Sequence, residues 1–377
     1  MANTNVALQI TKQLLETKFH GKNMIYSPIS IHMVLSLLAA KDNCPKLVSF
    51  LKSKSIADLN SLAGRLVTST LVDAPTKGGP RLNFTNGLWV DKSVSLEESY
   101  KKVVLDIYKA ALNHVDFKAN PEQVRIQVNS WVEKETKGLI PQILQPGSVC
   151  TVTTHIFANA LYFKATWDDT YFSKSTTKKH DFHLLNGDSI KRVPFMTSKC
   201  YHYIGAFDGF KILRLGFRTH DHDDLLKSTY KYEPRKFSMY WLLPDARDGL
   251  PALAEKVCSE PEFLDRHGPS YVRVGEFLIP KFKMTSRFGA SGVLKKMGLG
   301  GVCDSMEIVH ESVIEVDENG TTAAAATCGV LMCSSGKEYT PEKILDFVAD
   351  HPFMFLIRED TTRTLLFMGQ VLNPLAG

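Results

Sequence analysis

Residues 318–327 read Glu318-Asn319-Gly320-Thr321-Thr322-Ala323-Ala324-Ala325-Ala326-Thr327, and no ordinary element of secondary structure suits them. The alanines favour a helix, but Gly320, Gly329 and the β-branched Thr321, Thr322 and Thr327 flank them, so no helix of stable length can grow. Alanine is also a weak strand former. What the stretch offers is small side chains, which can slip between two existing strands where a run of Leu or Phe would have to force the sheet apart. It opens a connection of almost thirty residues between a strand ending near Val316 and one resuming near Leu345. Connections beyond about 12–15 residues are uncommon in compact domains and tend to be functional or disordered.

Upstream of this stretch the chain reads first as helices. Val6, Ile10 and Leu14 recur every fourth residue, and Ile56, Leu59, Leu62, Ala63 and Leu66 form a second apolar stripe. Ser27-Pro28 reads as an N-cap and first-turn proline, opening a helix with Ile31, Val34, Leu35 and Leu38 on one face. Two further helices are expected, over 97–113 with acidic residues at its front, and over Pro121 to Lys137, closed by Gly138. Strands follow. Leu82 to Val90 alternates as a half-buried strand would, and Ile156 to Phe163 is apolar on both parities, as in mid-sheet strands covered on both faces. Residues 237–243, 271–283, 307–316, 353–357 and 363–371 are the remaining strand candidates. No repeat or low-complexity linker divides residues 1–377, so the expectation is one large α+β domain, helices mainly first and sheets later.

The 377 residues are 44% hydrophobic and 23% charged, the balance of a soluble globular chain. The net charge of +5 is spread along the sequence and gives nucleic-acid binding no electrostatic footprint. No apolar run approaches the ~20 residues that span a bilayer, and polar residues at helical spacing fill the first nineteen positions, where a signal peptide needs an unbroken apolar block. The expected location is cytoplasmic or nucleocytoplasmic, with unconventional release to the extracellular space as the alternative. The seven cysteines are odd in number and scattered, which suits reduced thiols better than a disulfide framework.

An enzyme finds little support. There is no Gly-x-Ser-x-Gly elbow, no phosphate loop before Gly336-Lys337, no His-Glu-x-x-His and no Cys-x-x-Cys. His220-Asp221-His222-Asp223-Asp224 has metal-ligand chemistry but sits in a polar stretch that reads as a solvated surface loop. No metal or cofactor is expected.

Four further motifs accompany the alanine-rich stretch: Asn23-Met24-Ile25-Tyr26-Ser27-Pro28-Ile29-Ser30, Asn159-Ala160-Leu161-Tyr162-Phe163-Lys164-Ala165-Thr166-Trp167, Asp350-His351-Pro352-Phe353-Met354-Phe355, and Leu365 through Pro374. In this order they resemble the serpins, the serine protease inhibitor family, over nearly the whole chain. Phe182-His183-Leu184-Leu185 and Asp346 to Pro352 are most similar to its plant branch. The resemblance implies a serpin fold of three β-sheets with eight or nine helices and an exposed reactive-centre loop, here 318–340 with its hinge at 318–327.

It also implies a mechanism and a set of sites. A protease cleaves the loop, is held as an acyl-enzyme, and is trapped when the freed loop inserts as a strand of the main sheet. Counting as in the family places the bond at Ser334–Ser335, with Met332, Cys333 and Gly336 as neighbouring alternatives. Thr321 to Ser334 would then span about 45 Å as a strand and could gain on the order of 10 kcal/mol in ladder hydrogen bonds. Period two turns Thr321, Ala323, Ala325, Thr327, Gly329 and Leu331 inward, all small or apolar, and Thr322, Ala324, Ala326, Cys328 and Val330 outward. Ser27, Ser30, Asn159 and His310 match the family's shutter, though each alone reads as a capping serine or a satisfied buried polar group. Glu318 and Lys281 match its breach, with Trp167 nearby, a pair that could equally be an exposed ion pair.

Small neutral residues before the bond suit an elastase-like or subtilisin-like serine protease, and Cys333 at the second position leaves a papain-like cysteine protease open. The molecule itself is expected to be a monomer. Departures from the pattern are Lys41-Asp42-Asn43-Cys44-Pro45 in place of a Gly-rich turn, a shortened connection between Leu299 and Met306, and a loop about two residues longer than usual. A non-inhibitory serpin, acting as carrier, chaperone-like or storage protein, is the alternative, but such members usually carry bulky or charged hinge residues, and no charge lies between Thr321 and Ser335.

Overall fold

The computed structural model describes residues 2–71, 80–167, 171–219, 235–302, 306–318 and 344–376. Among them the first helices are α1 (Ala2–Glu16), α2 (Pro28–Asp42), α3 (Pro45–Phe50), α4 (Ile56–Arg65), α5 (Glu98–Lys102) and α6 (Pro121–Glu135). α7 (Leu250–Ser259), α8 (Phe263–Arg266) and α9 (Ala290–Leu294) follow, nine in all. The Ser27 hydroxyl caps α2 by accepting from the Ser30 amide at 3.3 Å, with Pro28 in the first turn. Asn43 closes α2 in the left-handed conformation at φ 45°, so an asparagine does here what a glycine would ordinarily do.

A five-stranded sheet runs in the order β11 (Phe282–Gly289), β12 (Met306–Val316), β4 (His155–Lys164), β2 (Arg81–Asp91) and β3 (Ala111–Val115). A second path of strands starts with β1 (Met24–Tyr26), β15 (Thr364–Val371), β14 (Phe353–Glu359), β9 (Phe237–Pro244) and β8 (Phe210–Gly216). It continues through β7 (Tyr201–Phe207) and β10 (Ser270–Pro280), with β13 (Ile344–Val348) parallel to β10. Ser270 to Arg273 pair with β7, whereas Ile279 and Pro280 pair with β6 (Ser189–Met196), so β6 and β5 (Lys178–His183) form a third sheet on the far end of β10. His351 ties these layers together: its Nδ1 lies 2.7 Å from the Asp350 carboxylate and its Nε2 2.7 Å from the Pro244 carbonyl, while the Asp350 carbonyl accepts from the His183 amide.

Where it packs under α6 the five-stranded sheet is covered on both faces. Leu82, Leu88, Phe157, Leu161 and Ile308 point into the large core shared with α2 and the second sheet. Trp89, Ile156, Ala158 and Val309 point the other way, into a smaller core closed by Val124, Val128 and Val132 of α6. Phe157 and Ile156 thus serve opposite cores, which is why 156–163 is apolar on both parities.

Two expected elements come out differently. The helix expected over 97–113 stops at Ile107; Lys109 takes φ 48° and the chain turns into β3, whose Ala111 to Val115 pair in parallel with Gly87 to Asp91. Propensity favoured a continuous helix, and pairing along β2 overrode it. The single strand expected over 271–283 is two strands in different sheets, parted at Lys281. The cysteines need one correction as well. Cys44, Cys150 and Cys258 are free as expected, whereas Cys200 is disulfide-bonded; a bridge needs only two side chains in reach, which sequence spacing does not report.

Gly369 of β15 sits where backbones meet, and an added Cβ would lie 2.3 Å from the Met24 carbonyl oxygen and 2.7 Å from the Phe355 ring. Because one of these neighbours is backbone, Gly369→Ala is expected to destabilise by about 1–3 kcal/mol or more, read as a lower denaturation midpoint. An unchanged midpoint would mean that β1 and β15 can separate freely.

Candidate functional site

The five-stranded sheet is incompletely zipped. β4 pairs with β2 along all ten of its residues, from His155 to Lys164, and β12 pairs with β11 from Val309 to Val316. Between β4 and β12 the parallel ladder runs only from Met306↔His155 to His310↔Asn159 and stops there. Beyond that row Ala160–Lys164 and Glu311–Val316 face each other without pairing, over about 17 Å at ~3.3 Å per residue. The edges border a cleft of about 750 Å³ whose lining includes Leu161, Phe163, Trp167, Glu311, Val313 and Val316. Two parallel edges held apart over the large core, with Lys283, Thr285 and Glu315 exposed on the other face, make a seat for a strand.

The last paired row is also where the polar groups collect. His310 is buried, and its Nε2 accepts from the Ser27 amide at 3.0 Å and from the Ser312 hydroxyl at 2.9 Å. Burial pushes its pKa down to about 3, and protonation at Nε2 would set a second donor against the Ser27 amide. Asn159, across the row, donates to Asn86 Oδ1 at 2.5 Å, and Asn86 donates on to the Tyr108 carbonyl at 3.1 Å. Ser30 contributes its amide to the Ser27 cap. Among the described residues Ser30 Oγ, Asn159 Oδ1 and His310 Nδ1 have no hydrogen-bond partner. Ser27 therefore adjoins His310, with Ser30 behind it on the cap, while Asn159, paired with His310 in the ladder, sends its side chain to Asn86. The alternation of 82–90 puts Asn86 in one set with Leu82, Phe84, Leu88 and Val90, and the β2–β4 register brings it opposite Asn159.

The upper end of the cleft is closed by an ion pair. Lys281 Nζ lies 2.8 Å from Glu318 Oε2, and the Thr177 hydroxyl donates to the other carboxylate oxygen. Burial alone would raise the Glu318 pKa, but Lys281 and Thr177 outweigh it and hold the carboxyl below the ordinary range. Trp167 donates its indole N–H to the Asp317 carbonyl at 2.7 Å and stacks on Phe217 with ring centroids 4.6 Å apart. The sequence expectation joined these three residues, and here they surround the point where the chain leaves β12.

The hinge positions beyond Glu318, Gly320 through Thr327, and the bond candidates Met332, Cys333, Ser334, Ser335 and Gly336 lie outside the described residues, as do His220 to Asp224. Among the described residues no group of three or more His, Cys, Asp or Glu is placed to hold a metal ion, and no helix is long and apolar enough to cross a membrane.

Comparison with known proteins agrees with this geometry. The family model described as "Serpin (serine protease inhibitor)" matches residues 1–374. Serpin-ZX of Arabidopsis thaliana is 42% identical, the match covering 98% of this chain and 97% of the relative. A relative from the same plant named "Probable non-inhibitory serpin-Z5" is 39% identical over 99% of this chain and 83% of its own length. The solved structure of Arabidopsis AtSerpin1 in its native stressed conformation superposes with a TM-score of 0.85 at 41% identity, covering 99% of this chain and 97% of that one.

Two outcomes test the site. In Lys281→Met the buried Glu318 carboxylate loses its counter-charge, and the stability loss should be about 1–2 kcal/mol at pH 7, discounted because the Lys281 side chain is one-third exposed. The pair stabilises above the carboxylate range, so the difference between variant and native chain should shrink as pH falls through it; a constant difference would mean that packing, not charge, is lost. For His310 the unfolded imidazole takes a proton near pH 6.5 and the folded one near 3, so its contribution is whole above 6.5 and declines below. At pH 5 the loss is about 2 kcal/mol, and His310→Gln should remove that part of the pH dependence of the denaturation midpoint.

Proposed function

The chain belongs to the serpin family, and on that premise we propose that it inhibits an endopeptidase as a suicide substrate. Serpins are protease inhibitors as a class. The mechanism here begins when a protease serine attacks the carbonyl of Ser334 and the Ser335 amine leaves, so that residues up to 334 stay on the enzyme as an ester. Two fates then compete. Water can hydrolyse the ester and release an active protease, or the freed segment can enter the sheet and carry the enzyme with it.

One observation above all supports insertion: the facing edges of β4 and β12 are open over five or six residues beside the point where Glu318 leads the chain into the loop. A strand of about fourteen residues, Thr321 to Ser334, is too long for that gap. It also needs the five rows from Met306↔His155 to His310↔Asn159 to part. This gives Ser27, Ser30, Asn159 and His310 their role as a shutter, because the first row to open is theirs. Lys281, Glu318 and Trp167 act at the other end, where insertion starts.

The target class follows from the loop residues. Met332-Cys333-Ser334-Ser335 offers small neutral side chains to a shallow specificity pocket, as in an elastase-like or subtilisin-like serine protease, with a papain-like cysteine protease reading Cys333 as the second option. The non-inhibitory reading has a specific observation behind it, the 39% identity to a relative named as probably non-inhibitory. It predicts cleavage without capture.

Mixing the protein with elastase, subtilisin and papain should give an adduct that survives SDS with at least one of them. Thr321→Arg, which puts an unpaired charge among the inward positions, should abolish the adduct while leaving cleavage intact. Cleavage without an adduct in the unaltered protein would establish the non-inhibitory reading, and an adduct in Thr321→Arg would exclude insertion as the mechanism.

A further inference from the structure

We propose that Arg287 is a positioning residue that latches the segment after α6 across the open seam and thereby sets how fast a strand can enter; this rests on the insertion reading above. Arg287 of β11 and Glu311 of β12 are opposite each other in the antiparallel ladder. Arg287 Nε lies 2.7 Å from Glu311 Oε2, and Arg287 Nη2 donates to the Gln142 carbonyl. Glu311 is the first residue of β12 beyond its paired row with β4, and its side chain is 5% exposed. One guanidinium therefore joins both strands on the far side of the cleft to the segment that crosses it.

The direction of that contact gives it its role. Val309, Glu311 and Val313 alternate on one face of β12, the face toward α6, while Ile308, His310 and Ser312 face the large core. Leu139, Ile140 and Pro141 line the cleft together with Arg287 and Glu311. Just past Gln142 the same segment is tied back to α6 independently: Asn129 Oδ1 accepts from the Ile143 and Leu144 amides at 3.0 and 2.8 Å, and Arg125 and Asn129 both donate to the Leu144 carbonyl. The segment thus moves with α6, and Arg287 fastens that unit to β11 and β12. A strand entering between β4 and β12 passes beside residues 139–141, which line the cleft, and parting β12 from β4 strains the Arg287 contact to Gln142.

The latch opposes insertion, and insertion competes with hydrolysis of the ester, so weakening the latch should favour capture. Arg287→Ala removes both contacts. Arg287→Lys keeps a cation for Glu311 but lacks the second nitrogen that reaches Gln142. A synthetic peptide of residues 321–334 added to the full-length protein probes the seam without any protease, and its incorporation can be followed by native electrophoresis. Incorporation into Arg287→Ala should be about two- to tenfold faster than into the unaltered protein, and Arg287→Lys should match Ala. With subtilisin, if it forms the adduct, the fraction of Arg287→Ala molecules captured rather than merely cleaved should rise.

Equal incorporation rates in Arg287→Ala and the unaltered protein would overturn the latch, as would slow incorporation restored by lysine, since the ion pair alone would then account for it. A lower melting temperature with unchanged rates would assign Arg287 a structural role only and also overturns the proposal. If the peptide enters but no protease is captured, the inhibitor reading fails while the latch is still judged by the rate ratio. A seam that takes up no peptide in any form of the protein overturns both.

Discussion

The structure turns on one constraint: β4 and β12 are parallel neighbours that pair for five residues and then part. Backbone donors and acceptors inside a sheet are normally satisfied by the next strand, and a protein that leaves two such edges facing each other holds hydrogen-bonding capacity in reserve. Neither strand can close the gap alone. β4 is tied to β2 along its whole length and β12 to β11 along its upper part, so closing the seam would require moving half the sheet against two packed cores. The small core under α6 and the large core beneath the sheet grip the same strands from opposite sides.

The polar groups make sense on this footing. His310 and Asn159 occupy the row where the ladder ends, and they hold it with partners that differ in kind. His310 takes the Ser27 amide from the start of α2, and Asn159 reaches Asn86 in the next strand. Hydrophobic residues in that row would bond the strands no less firmly but would give the opening no defined place to begin. A buried imidazole kept neutral, with its pKa pushed down to about 3, is a costly group to retain for packing alone. At the upper end Lys281 and Glu318 fasten the departing chain over Trp167, so the seam is held at both ends and open between them.

Much of this was legible in the sequence because it rests on local rules. The Ser27-Pro28 cap, the alternation of 82–90 and the two-faced apolarity of 156–163 each have a short-range cause, and each appears where expected. The smallness of Thr321 to Thr327 implies a segment able to enter a sheet, but those residues lie outside the described ones. Contacts across long separations were not legible from spacing. Residues 178–216 hold four strands rich in Lys, His and Arg, whose charges masked the alternation. The break at Lys109 and the bend at Lys281 depend on which strands lie alongside. Arg287 gave no local sign, since its partners are Glu311 in the next strand and a carbonyl at 142. That Asn86 meets Asn159 follows only from register.

The central claim is that the intact protein is not in its most stable arrangement, and that the open seam is where the missing stability resides. Thermal unfolding of the intact chain and of the chain cut within the loop, both at neutral pH, addresses this directly. With on the order of 10 kcal/mol gained on insertion and roughly 2 °C per kcal/mol for a larger domain, the cut form should melt on the order of 20 °C higher. If cutting the chain leaves the transition where it was, or lowers it, the seam accepts no strand and the account is wrong.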